Sequence, residues 1–348
     1  MTASNLPHLH RADALFDQPL INDSSAHKSV IFTSKLDDSF AQIDWHAPWL
    51  SHLSQLNDIS KSINELSHSP QQAEVSILND KSIDIVAGIL NAASKQQSET
   101  VQRPLPTTKP IKNQRAHTLS FVSQDALPEG EAYESFIATT GNIPTRDNLH
   151  DLFNGSIWLT FPKTKALLNH YHILEIEQQG VGASRGRVRD TITVFDENGA
   201  VLVTADPSIG EALIDFDWQG SLVQPRRQWD DPKKPCTQAQ AAVYIFGHAL
   251  LEQLIQPRKP LCAHSVVIHV SQDFFALSLS ERLQYLDDRV ADYMNELLSC
   301  NEVTPRHLSP LPILGVPHFW AKNVDADFYK DAYVFRSGRR KQGKSQDI

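Results

Sequence analysis

The sequence predicts an α+β fold: a mostly helical single domain with a β-hairpin and a small sheet. Three observations predict it. Several segments repeat apolar residues at helical spacing, and a few short β-branched runs read as strands. The composition, 41% hydrophobic and 21% charged, is that of an ordinary globular chain of 348 residues, long enough for a substantial core. The formal charge of −9 disfavours a general grip on a phosphate backbone. Cys236, Cys262 and Cys300 are odd in number and lack C-x-x-C spacing, which argues against a disulfide framework or a thiolate zinc site. No signal-peptide core and no long apolar run is present, so the expected setting is the cytoplasm, without membrane contact.

The folded domain is expected over 40–337. Residues 1–39 read as a disordered N-terminal segment, 338–348 as a basic tail, and the stretches near 58–78 and 96–116 as polar excursions. Within the domain, "FAQIDWHAPWLSHL" carries two tryptophans and reads as an apolar anchor. "DKSIDIVAGILNAASK" places Val86, Ile89, Leu90 and Ala93 at helical spacing. "TLSFVSQ" is a strand candidate, and "EAYESFIATTG" a helix ended by Gly141. A helix is expected over about 146–161, with Pro162 interrupting it or opening the next. "DTITVFDENGAVLVT" has the form of a β-hairpin turning at Asn198-Gly199. "TQAQAAVYIFGHALLEQLIQP" is read as one helix, with Thr237 and Gln240 at capping-box spacing. "SVVIHV" is a strand, and Ser278 and Glu281 start an amphipathic helix.

Two of these helices carry polar residues among apolar ones. In "NLHDLFNGSIWLTFP", His150, Asn154 and Trp158 follow an i, i+4, i+8 line. In "AAVYIFGHALLEQLI", Tyr244, His248 and Glu252 are again four apart. An unpaired buried polar group costs roughly 1–3 kcal/mol, so these side chains should find one another across a helix–helix contact. His150, Asn154, His248 and Glu252 are therefore the candidate catalytic set. His150, His248 and Glu252 could also hold zinc or iron. Arg185, Arg187 and Arg189 alternate in "GASRGRVRD"; Arg187 and Arg189, with Asp151, are the candidate substrate-binding groups for a small anion. Lys163 and Lys165 are explained by the negative end of the preceding helix.

Several of these segments together, from "DWHAPWL" through "GEAYESFIATTGNIPTRDNLHDLFNGSIWLTFPKTKALLN", "RVRDTITVFDENGAVL" and "FGHALLEQL" to "LPILGVPHFW" and "DFYKDAYVFR", resemble the bacterial domain-of-unknown-function family 3025. The resemblance runs from about Phe40 to Arg336. It implies one continuous domain and makes the two histidine-bearing helices its hallmark: His-Asp-x-x-Asn at His150, Asp151 and Asn154, and Phe-Gly-His-Ala-Leu-x-Glu at His248 and Glu252. It supplies no activity.

Two functions remain open on the sequence. One is a hydrolase or group transferase for a small anionic substrate, distinguished by a water-accessible pocket where these side chains meet. The other is a non-catalytic binding or adaptor protein whose polar cluster is a sealed hydrogen-bond network. In that case the arginine stretch, the proline-rich excursions or the basic tail "RSGRRKQGK" would be the working surface, and the tail is the only hint of nucleic acid.

Overall fold

A computed structural model describes residues 36–68, 84–101, 119–179, 186–300 and 302–338. The arginine at 185, most of the two polar excursions and the basic tail beyond Gly338 fall outside the described residues. None of the described helices is long and apolar enough to cross a membrane.

The chain enters through 3₁₀ turns at Phe40–Gln42 and Pro48–Leu56, which bury Trp49, Leu50 and Leu53. Helix α1, Asn57–His68, follows directly. This part of the expected polar excursion is instead an amphipathic helix, because Ile59 and Ile63, four apart, are both fully buried. Helix α2, Ile85–Val101, buries Val86, Ile89, Leu90 and Ala93 as the spacing predicts. A carboxylate from a distant segment caps it: Asp147 accepts from the backbone N–H of Val86 at 2.8 Å.

Strand β1, Ser120–Ser123, pairs in parallel with β2, Asn142–Thr145. Asn91 of α2 completes the edge of β1, donating to the carbonyl of Phe121 and accepting from its N–H at 2.7 and 2.9 Å. Between the strands lies α3, Tyr133–Thr140, ended by Gly141 at φ +74° in the left-handed region expected of a helix C-terminus. Helix α4, Leu149–Thr160, is capped by Asn148, whose side chain accepts from Asp151 N. Phe161 takes a non-helical conformation, and Pro162 opens α5, Pro162–Gln179.

Two sequence expectations are overturned in the next stretch. Residues 190–204 do not form a hairpin: α6 spans Arg187–Asn198 and strand β3 spans Gly199–Thr204. Val188, Ile192 and Phe195 recur at i, i+4, i+7 and bury one helical face, a period hidden by the β-branched composition. Gly199 has φ −76°, so "DENG" is a helix end running straight into a strand. The strand is buried at all six positions and leads to α7, Pro207–Ile214.

The expected helix over 237–256 is split in the same way. Ala241–Ile245 is strand β4, and only His248–Gln253 is helix, α8. All five strand residues are buried, and a short, wholly apolar run has no period by which strand and helix differ. Thr237 and Gln240 accordingly cap nothing, and Tyr244 leaves the line of His248 and Glu252. Strand β5, Cys262–His269, helix α9, Leu279–Leu298, with its Ser278–Glu281 capping box, and strand β6, Ser309–Pro312, complete the fold.

The main sheet has the order β4-β3-β5-β6, with β3 and β5 parallel and the outer pairs antiparallel. The fold class is therefore α+β as expected, with a four-stranded sheet in place of a hairpin. Buried side chains from helices and strands form one continuous core.

His52 sits in that core at 2% exposure, its ring near those of Phe161 and Tyr244, with Nε2 unpartnered. Burial lowers its pKa from 6.5 to about 4. The unfolded chain therefore takes up this proton first. The contribution is fully present above pH 6.5 and is lost as the pH falls towards 4, a loss on the order of 3 kcal/mol. His52→Phe, which keeps the ring and removes the titration, is expected to be the more stable protein at pH 5 by about 2 kcal/mol relative to the difference at pH 7. Urea unfolding of both proteins at the two pH values checks this; parallel pH dependences would contradict it.

Candidate functional site

Three helices each turn a polar stripe, and a fourth its first residue, towards one cavity of about 400 Å³. Helix α4 supplies His150, Asn154 and Trp158, the i, i+4, i+8 line of the sequence. Helix α5 supplies Lys165, Asn169 and His172, and α6 supplies Arg189, Thr193, Asp196 and Glu197, again at helical spacing. Helix α8 places His248 at its first residue and Glu252 in its last turn. The close approach of α8 to α6 comes from two adjoining turns. The backbone N–H groups of Phe246 and Gly247 both donate to the carbonyl of Gly199, at 2.9 and 2.8 Å.

The centre of the site is a pair of imidazoles in edge-to-face contact, their centroids 4.5 Å apart. Nε2 of His150 and Nε2 of His248 lie 3.1 Å apart. Behind His150, Nδ1 faces Glu252 Oε2 at 3.1 Å, so this nitrogen carries a proton donated to the carboxylate. Behind His248, Nδ1 is buried without a hydrogen-bond partner, with Asp196 Oδ2 at 4.0 Å. Glu197 Oε2 stands 3.5 Å from His248 Nε2, on the side where the two rings meet. His150 is about one-third accessible and His248 is buried, their side chains being 34% and 4% exposed.

Burial lowers the pKa of His248 from 6.5 to about 4, which keeps the ring neutral at pH 7. Burial would by itself raise the Asp196 carboxyl, but Lys165 and then His248 hold it below the usual carboxylate range. Glu197 moves up, through desolvation first and repulsion from Asp196 second. Burial also pushes Tyr133 well above its ordinary value and His172 below its own.

A polar chain closes the wall. Lys165 Nζ donates to Asp196 Oδ1 at 2.6 Å and to Asn154 Oδ1 at 2.8 Å, and Asn154 Nδ2 donates to the Tyr133 hydroxyl at 3.1 Å. At the rim, Arg146 makes a two-pronged contact with Asp151, which also accepts from the Arg146 backbone N–H at 2.7 Å.

Of the candidate catalytic residues, His150, Asn154 and His248 line the cavity, and Glu252 stands behind His150. The candidate substrate-binding groups separate. Arg189 lines the cavity with a buried, unpartnered Nε; Asp151 also lines it, engaged by Arg146; Arg187 is exposed at the start of α6 and is not among the lining residues. Arg187 and Arg189 lie on a helix.

Sequence reasoning missed Lys165, Asp196, Glu197, Arg146 and Tyr133. Lys165 is not explained by the end of α4 alone: its side chain is 5% exposed and its charge is committed to Asp196. A lysine followed directly by Ala166, Leu167 and Leu168 is the signal the sequence offers. Asp196 and Glu197 were hidden by the assignment of their segment to a turn. Glu197 is the carboxylate grouped with the two histidines on this side: one donor atom from each of His150, His248 and Glu197 lies within 4.8 Å of the other two.

No curated protein and no solved structure matches the chain. One family profile does, over residues 119–339, a stretch that takes in α4, α5, α6 and α8 and begins well after the tryptophan segment at Trp45 and Trp49. The chain belongs to the family described as "Protein of unknown function (DUF3025)".

Proposed function

We propose that the chain is an enzyme that hydrolyses, or transfers a group from, a small anionic substrate held in the cavity over His150. The observation that carries this reading is the cavity itself. It has the volume of a small-molecule site, and its wall brings an accessible imidazole, oriented from behind by Glu252, together with His248, Glu197 and Lys165. A sealed structural network would leave no such space. Arg189, whose Nε has no partner, and Arg146, pre-set by Asp151 with its side chain 57% exposed, are the groups we assign to the substrate's anionic end. Cys236, Cys262 and Cys300 are free thiols, which supports action in a reducing compartment such as the cytoplasm.

The test is turnover of a panel of small chromogenic phosphomonoesters, carboxylate-bearing esters and amides by wild type, His150→Ala and His248→Ala. The expected result is turnover by wild type, reduced at least about 100-fold in both variants. His150→Ala, at a partly exposed position, should keep its melting temperature within about 2 °C. Wild-type rates in a folded His150→Ala/His248→Ala double variant would end the reading.

A further inference from the structure

We infer that His150 Nε2, His248 Nε2 and Glu197 Oε2 form a binding site for one divalent first-row transition-metal ion, zinc foremost. The proposal deepens the enzymatic reading of the same site. Three independent features point to a cation at this spot.

The first is donor spacing. An ion bonded at about 2.0–2.1 Å to nitrogen and oxygen donors, in tetrahedral or octahedral geometry, requires adjacent donors about 2.9–3.4 Å apart. The two Nε2 atoms are 3.1 Å apart, and Glu197 Oε2 is 3.5 Å from His248 Nε2. The third pair, His150 and Glu197, lies within 4.8 Å, and the 35% exposed Glu197 side chain can move in by rotation.

The second is what stands behind each ring. With a proton on Nδ1, His150 donates to Glu252, while His248 Nδ1 has the Asp196 carboxylate 4.0 Å away, beyond hydrogen-bond distance. The two Nε2 atoms face each other, with Glu197 beside that of His248. In the absence of a cation one Nε2 must be protonated to bridge the pair. His150, with a carboxylate bonded behind it and its Nε2 in front, has the arrangement that orients a metal-binding imidazole. Glu252 is thereby an outer-shell group rather than a ligand.

The third is charge. Asp196 and Glu197 occupy the last turn of α6, and Glu252 the last turn of α8, where the helix end is already negative. Lys165 is paired with Asp196. Glu197 and Glu252 have no lysine or arginine within salt-bridge distance among the described residues, and a divalent ion between the histidines would offset both. It would also make the cavity compatible with an anionic substrate, which these carboxylates otherwise repel. Three protein donors leave a coordination position open for water or a substrate atom, the mark of a catalytic rather than a structural site.

The experiment uses the full chain, stripped with dipicolinate, dialysed, and titrated with Zn²⁺ by calorimetry and with Co²⁺ by visible absorption. The expected result is one ion per chain, with cobalt bands of a four- or five-coordinate site. Glu197→Gln and His150→Ala are expected to weaken binding by roughly 100-fold or more, and Glu252→Gln by about 10–100-fold with the stoichiometry kept. Glu134→Gln, on the same cavity wall, should bind as wild type. Circular dichroism and melting of each metal-free variant guard against misfolding. Absence of stoichiometric binding by wild type, or wild-type affinity in folded Glu197→Gln, overturns the site. Turnover that survives complete metal removal would overturn the ion's part in the reaction and leave the enzymatic reading standing. A tightly bound ion without turnover on any substrate would do the reverse.

Discussion

Lys165→Met is expected to destabilise the protein by about 3 kcal/mol, lowering the melting temperature by roughly 6–12 °C. The substitution keeps the length and apolar stem of the side chain, so packing against Trp158, whose ring lies 5.5 Å from Nζ, is largely preserved. What is lost is the charge. Asp196 would face Glu197 and the interior with no cation at 2.6 Å, and Asn154 Oδ1 would lose its donor at 2.8 Å. Removing one partner of a buried pair costs about 3–5 kcal/mol; the lower end applies because the Asp196 side chain is 25% exposed. Asp196→Asn in the Lys165→Met background should recover most of the loss, because a neutral amide carries no unpaired charge.

The pH dependence supplies a second check on that pair. In the wild type the Asp196 carboxyl titrates below its unfolded value of 3.8, so its contribution is present above pH 3.8 and is lost as the pH falls through the lower, folded value. Without Lys165, burial dominates and the carboxyl moves up. The gap between wild type and Lys165→Met should therefore narrow as the pH falls from 7 towards 4, since the variant can relieve its buried charge by protonation. A gap constant with pH, or a double variant no better than Lys165→Met, would show that the lysine acts through packing.

The residues legible in the sequence share a physical reason. His150, Asn154, His248 and Glu252 stand out because a hydrogen-bonding group inside an apolar segment must be satisfied somewhere, and each pair sits at i, i+4 on one helix. That local rule survives even though the segment around His248 begins as a strand. It does not identify partners that arrive from elsewhere in the chain. Glu197 reaches the histidines only because α6 and α8 are set against each other by the turns at Gly199 and Gly247, a contact between segments nearly fifty residues apart. The same limit explains the strand at Ala241–Ile245. Burial on both faces removes the alternation that would distinguish it, and its pairing with β3, Ala200 opposite Ile245 through Thr204 opposite Ala241, is a tertiary fact. In the α6 segment, Thr, Ile and Val favoured a strand by propensity, but burial of Val188, Ile192 and Phe195 on one face decided for helix.

The joint between those turns sets the last expectation. Gly247→Ala should cost about 3 kcal/mol and roughly 6–12 °C in melting temperature, although Gly247 has an ordinary φ of −67°. The reason is space. A Cβ on Gly247 would lie 2.4 Å from the backbone nitrogen of Gly199, 2.5 Å from the carbonyl oxygen of Glu197 and 2.6 Å from Asn198 Cα. All three are main-chain atoms, so no side-chain rotation relieves the clash; the α6–β3 turn and the β4–α8 turn must move apart. Glu197 rides on the first turn, and His248 immediately follows the second. Separating them lengthens the 3.5 Å gap between Glu197 Oε2 and His248 Nε2 and weakens the paired hydrogen bonds to the Gly199 carbonyl. The variant should therefore lose Zn²⁺ affinity as well as stability, by roughly 10-fold or more, without any change in ligand identity. Thermal melting and zinc titration of the metal-free variant measure the two effects separately. A melting temperature within about 2 °C of wild type would mean that the turns can part at little cost. A large thermal loss with unchanged zinc affinity would mean that this joint supports the fold but does not position the site.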